Sequence, residues 1–108
     1  MPPAEQDLAS LAPADVDRVI HEPARLTLMA LLYVIQAADF TFLMAQTGLS
    51  WGNLSSHMSK LEAAGYIEVA KDFVERRPRT MLKLTAAGQE AFRSYRHMIK
   101  GVLDPLPE

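Results

Sequence analysis

The spacing of apolar residues changes several times along the chain, and each change marks an element. In RLTLMALLYVIQAA (25–38), Leu28, Leu31, Leu32 and Ile35 form one wide stripe with further apolar residues between them. That predicts a central buried helix opened by Pro23. Before it, Pro13 sets the first turn of a short helix through about Ile20, with Val16, Val19 and Ile20 apolar. After a break near residues 39 and 40, Thr41 is the predicted cap of a short helix, FLMAQT, which Gly48 ends. Ser50 caps the next helix, whose inner face is Leu54, Met58 and Leu61 and which stops at Ala64–Gly65. Two alternating segments follow, YIEVAKDF (66–73) and TMLKLT (80–85), joined by the polar VERRPR (74–79); they predict a β-hairpin. Thr85 caps a last helix over 86–103, striped by Ala91, Tyr95, Met98, Ile99 and Val102.

A short helix, a glycine turn and a second helix make a helix-turn-helix, and a hairpin after it makes a wing. The expected fold is therefore mainly α with a small β-hairpin, a winged helix-turn-helix with flanking dimerisation helices. Its expected parts are an N-terminal segment (1–12), flexible or facing a partner copy, a core (13–85), and a C-terminal dimerisation helix and tail (86–108).

The outward face of the helix over 50–64 is unusual. Ser50, Gly52, Asn53, Ser55, Ser56, His57, Ser59 and Lys60 are small or polar, and acids are absent from that face. Serine and asparagine lower helix propensity, so helix stability did not select them. Small hydrogen-bonding groups without acids suit a helix lying against phosphates and base edges. Ser50 has a competing role as cap. Trp51 can either pack over the turn or lean on a sugar-phosphate strand. In ERRPRT (75–80), Arg76, Arg77 and Arg79 surround a proline and precede Thr80, a stiff cationic tip of the kind that enters narrow minor grooves. Arg77 and Arg79 rank ahead of Arg76 as contacts, with pairing to an internal acid as the alternative. Arg25, in an otherwise apolar helix, reads as structural.

Composition narrows this picture. With 108 residues, 49% hydrophobic and 22% charged, the chain has room for one core. The net charge of −2 argues against nucleic-acid binding until its distribution is considered. Glu5, Asp7, Asp15, Asp17 and Glu22 face only Arg18 in residues 1–22, whereas Lys60, Lys71, Arg76, Arg77, Arg79 and Lys83 outweigh the acids of 50–83. Cysteine is absent, which removes disulfides and thiolate metal sites. A phosphate loop, a close metal-ligand cluster and a catalytic motif are also missing, so neither enzyme activity nor a cofactor or metal is expected. The first ten residues lack the pattern of a secretory signal and apolar runs are short, so a cytoplasmic protein without membrane contact is expected.

Residues 21–97 resemble the winged-helix transcriptional regulators related to the MarR and ArsR types, most closely the compact members of about 100 residues. The resemblance is carried by HEPARLTLMALL (21–32), LSWGNLSSHMSKLEAAGYI (49–67), ERRPRTMLKLTAAGQEAF (75–92) and Tyr95. It implies a homodimer that binds a near-palindromic operator in double-stranded DNA, with the recognition helix in the major groove and the wing near the minor groove. It leaves room for a small-molecule effector. It does not extend to metal sensing, because cysteine is missing and His21, His57 and His97 are far apart. Surplus apolar residues at both ends, Leu8, Leu11, Val16 and Val19 with Tyr95, Met98, Ile99 and Val102, are the expected dimer contacts. The competing reading is a winged-helix protein-interaction module without specific DNA binding.

Overall fold

A computed structural model describes residues 16–108. The helix expected over 13–20 is, in its described part, a single turn. The Asp17 carboxylate accepts from the Val19 and Ile20 N–H groups at 2.9 and 3.2 Å, competing for the donors of a helical turn. Its other oxygen accepts from the Tyr66 hydroxyl. Burial, and then the Asp17 carboxylate, push that hydroxyl up to about 12, so it remains a donor at physiological pH. Leu8 and Leu11 lie outside the described residues.

Helix α1 is Pro23–Ile35; the Glu22 carboxylate caps it by accepting from Arg25 N–H at 2.8 Å. Leu28, Met29 and Leu32 are its buried residues, while Ile35, expected on the buried stripe, is exposed with Val34. The helix stops there because Gln36 takes a φ of 71° and turns the chain back, its carbonyl accepting from Leu84 N–H. This reversal creates a strand absent from the sequence reading: β1, Ala37–Asp39, pairs antiparallel with residues 81–83. Helix α2, Phe40–Thr47, is capped by Asp39 and not by Thr41; the Asp39 carboxylate accepts from Phe42 N–H at 2.7 Å. Gly48 closes it at φ 72°. Helix α3 is Trp51–Ala63.

Strands β2, Ile67–Val74, and β3, Arg77–Leu84, run further than expected, so the turn is Glu75 and Arg76 alone. Both have positive φ, 51° and 69°, the twist that a two-residue hairpin turn demands. The sheet order is β1-β3-β2. Pro78 fits within β3 because β1 covers only residues 81–83, leaving an open edge that needs no N–H donor at position 78.

Helix α4, Ala86–Leu103, begins at Thr85, whose hydroxyl accepts from Gly88 N–H and donates to the Gly65 carbonyl. Its Gly88, Phe92 and Tyr95 are buried, so α4 belongs to the same core as Leu28, Leu32, Leu54, Leu61 and Leu82. Gly88 is required by proximity: a Cβ there would collide with the Tyr66 carbonyl oxygen. Gly88→Ala should therefore cost about 1–3 kcal/mol in urea unfolding, since backbone must yield. Gly52→Ala, with open space at its Cβ and a helical backbone, should not destabilise. An unchanged midpoint for Gly88→Ala would refute this packing.

Candidate nucleic-acid interface

Leu54 and Leu61 are fully buried and Met58 packs against them, which turns the opposite side of α3 outward. Trp51, Gly52, Asn53, Ser56, Ser59 and Lys60 are exposed there, with Ser55 half-buried. The Ser50 hydroxyl is engaged as the cap, accepting from Asn53 N–H at 3.1 Å. Trp51 packs over the turn: its ring lies 6.0 Å from that of Phe40, tilted by 53°, and is still 66% exposed.

His57 lies elsewhere than the outer-face reading put it. Its side chain is 17% exposed and is directed at the start of α1. Nδ1 lies 3.1 Å from an Arg25 guanidinium nitrogen, and Nε2 lies 3.9 Å from the Glu22 carboxylate. A guanidinium only donates, so Nδ1 accepts and the ring proton sits on Nε2, facing Glu22. Arg25 is itself fixed by donating to the Val19 carbonyl at 2.6 Å. The Arg25 N–H bond holds the Glu22 carboxyl below its ordinary range, keeping it ionised beside the imidazole. Arg25 thus has the structural role its sequence context suggested, and His57 is the joint between α3 and α1.

On the wing, Arg76 and Arg77 are exposed. Arg79 is not equally available: its guanidinium donates twice to Asp72 across the strands, at 2.9 and 2.6 Å. Those hydrogen bonds hold the Asp72 carboxyl below its usual range, so the pair survives into acid. Thr80 is half-buried. The middle and outer part of the wing and the start of α3 border one groove of about 310 Å³, lined by Thr41, Trp51, Pro78, Arg79 and Thr80 among others. The helix patch and the wing patch are therefore brought together.

The apolar ends divide. Val16 and Tyr95 are buried in the chain's own core, and the Tyr95 hydroxyl meets His21 Nδ1 at 2.8 Å. Val19 is half-buried against the same core. A single copy already uses these three. Met98 and Ile99 also pack partly against this core, while Val102 is half-buried further along α4, near exposed Leu103 and Leu106. The sequence reading passed over Phe73, exposed near the wing tip, because an apolar residue in an alternating strand signals core. Among the described residues no three acids or histidines are grouped to hold a metal, and no helix is long and apolar enough to cross a membrane.

A recognition-type helix, a glycine turn before it and a cationic hairpin after it define a winged-helix domain. The family model for winged helix DNA-binding domains matches residues 24–103, and the chain belongs to that family. It is 33% identical over 78 residues to an uncharacterized protein of Methanocaldococcus jannaschii, covering 72% of this chain and 85% of that one. Its fold matches the structure of a transcriptional regulator homologue from Pyrococcus horikoshii with a TM-score of 0.82 and 28% identity, over 95% of this chain and 99% of the other. NadR, solved in complex with 4-hydroxyphenylacetate, shares the fold at a TM-score of 0.67 and 24% identity, over 81% of this chain and 61% of its own.

The placement of His57 separates stability from recognition. His57→Ala should lower unfolding stability by roughly 0.5–1.5 kcal/mol, the worth of a hydrogen bond at a half-buried joint. Ser56→Ala and Asn53→Ala, at exposed positions, should leave stability within about 0.5 kcal/mol. Equal losses in all three would show that His57 is not a joint.

Proposed function

We propose that the protein is a transcriptional regulator that reads a specific sequence in duplex DNA as a twofold homodimer, with α3 in the major groove and the wing near the minor groove. The observation that carries this reading is the outward face of α3, where Asn53, Ser56, Ser59 and Lys60 are exposed with a single acid, Glu62, to one side, beside a wing whose Arg76 and Arg77 form no ion pair among the described residues. The likeness to the regulator homologue of Pyrococcus horikoshii supports the regulatory role. Asn53 and Ser56 are the assigned base readers, with Ser55 and Ser59 beside them; Lys60, Arg76 and Arg77 are assigned to phosphates and the minor groove.

The homodimer is supported by shape and by uncovered apolar surface. The radius of gyration is 16.5 Å, against about 13 Å for a compact chain of this size. The outward parts of Met98 and Ile99, which also pack on the core, continue with Val102 and exposed Leu103 as an apolar strip along the distal half of α4. Two copies related by a dyad would read half-sites about one helical turn apart, which is why a near-palindrome is the proposed operator. The net charge of −2 favours the competing reading, a protein-interaction module, which requires no salt-dependent DNA affinity.

Selection from a random duplex library should recover one preferred sequence, bound with an affinity that falls steeply with salt. Recovery of no preferred duplex would overturn the reading and favour the interaction module. Asp72→Asn should release Arg79, strengthen binding and steepen the salt slope by about one unit. Arg77→Ala should weaken binding more than Arg79→Ala; the reverse order would place the wing differently.

Sedimentation should show a dimer at micromolar concentration, and Ile99→Glu with Val102→Glu should give folded monomers that bind the selected duplex far more weakly. A wild-type monomer that binds one asymmetric site tightly would overturn the dimer.

A further inference from the structure

The alternation of the hairpin continues after the body of the domain has ended. Ile67, Val69, Lys71 and Phe73 share one face of β2, and their cross-strand partners Leu84, Leu82, Thr80 and Pro78 share it on β3. At the base this face is core: Ile67, Leu82 and Leu84 are buried. In the middle it turns polar, with Lys71 opposite Thr80. At the tip it turns apolar again, and Phe73 is 74% exposed opposite Pro78. Solubility alone would continue the polar pattern to the end.

Two features say what covers that tip. Pro78, the cross-strand partner of Phe73, lines the groove that also holds Trp51, so the pair lies beside the start of α3 although Phe73 itself does not line that groove. Lys71 lies on the same face two residues from Phe73 and Arg76 lies in the turn beyond it, with Arg77 next to Pro78 on the other face; none of the three forms an ion pair among the described residues. Glu75 in the turn offsets one of these charges. An apolar ring with cations beside it is complementary to a surface that is apolar within and anionic at its edges. A duplex presents that combination in the minor groove, between base planes flanked by phosphates.

We propose that Phe73, backed by Pro78, is a wedge that enters the minor groove of the bound duplex and partly unstacks one base step. The inference rests on the DNA-binding reading above and adds to it a contact that uses no hydrogen bond. The strand pairing with Pro78 fixes the backbone that carries the phenyl group, so insertion orders only the ring's own two torsions. Unstacking is cheapest at pyrimidine–purine steps, so the wedge would select such a step and kink the duplex there.

The test uses the full-length protein and the duplex recovered by selection from a random library. 2-Aminopurine is placed in turn at each step flanking the α3 footprint, and end-to-end energy transfer reports the bend. The wild-type protein should raise the fluorescence at one step and bend the duplex. Phe73→Ala should abolish both signals and weaken binding roughly tenfold. Its salt slope should not change, because no phosphate contact is lost. Its thermal midpoint should also hold, since the ring is exposed, and Phe73→Leu should retain part of the bend. If Phe73→Ala keeps the wild-type bend and fluorescence, the wedge is overturned while the DNA reading stands. If the wild-type protein selects no duplex, the DNA reading fails and the wedge fails with it.

Discussion

The burial of Leu54 and Leu61 sets the rotation of α3 about its own axis, and with it every side chain the helix offers to solvent. Both are fully enclosed by a core that also holds Leu28, Leu32, Leu43 and Leu82, so rotating the helix would open that core. His57 adds a polar lock to the apolar one, since its ring reaches Arg25 and Glu22 only at this rotation. Asn53, Ser56 and Ser59 are thus held in place from behind. A reading surface needs this rigidity, because base discrimination depends on hydrogen-bond geometry that a loosely held helix would blur.

The wing is placed by the same core through a different period. Leu82 and Leu84 fix which side of β3 faces inward, and antiparallel register carries that choice to the tip at Phe73 and Pro78. The junction of α4 with the hairpin holds the base of the wing. Thr85 bonds Gly65 and Gly88, and the absence of a side chain at Gly88 lets α4 approach the Tyr66 carbonyl.

Long periodic segments were legible in the sequence, and short or competing ones were not. The positions of α1, α3 and α4 followed from apolar stripes and from caps such as Ser50 and Thr85, and the winged-helix family followed from their order. Strand β1 has three residues, too few for a period, and exists because Gln36 adopts a positive φ that the sequence does not announce. Asp39 displaced Thr41 as cap because either side chain can satisfy the same donors, and the chain reversal chose between them. The wing turn was drawn too long because Glu75–Arg76 lacks the glycine or asparagine that marks such turns. Within the candidate site, exposure could be inferred from helical phase, but partnership could not. His57 lies at a boundary angle of α3, and only the position of α1 decides that it turns inward. Pairing with an internal acid is open to each wing arginine in the sequence, and only the register, which sets Asp72 opposite Arg79, selects that one.

A net-negative chain is compatible with a DNA-facing surface because several of its acids are engaged by the fold, and exposed Glu62, Glu68 and Glu75 are outnumbered by the cations of the same region. Asp39 caps α2, Glu22 caps α1 beside His57, Asp17 holds the Tyr66 hydroxyl, and Asp72 is paired with Arg79. Each carboxylate accepts hydrogen bonds from the fold, so its charge is partly answered before any phosphate approaches. Lys60, Lys71, Arg76 and Arg77 have no such ion-pair partner among the described residues. Summed charge counts both groups equally, but an approaching polyanion meets the unpaired cations at short range, within a Debye length of about 8–10 Å. The acids that stabilise the helix starts and the wing thereby leave a locally positive field on a chain that is negative overall.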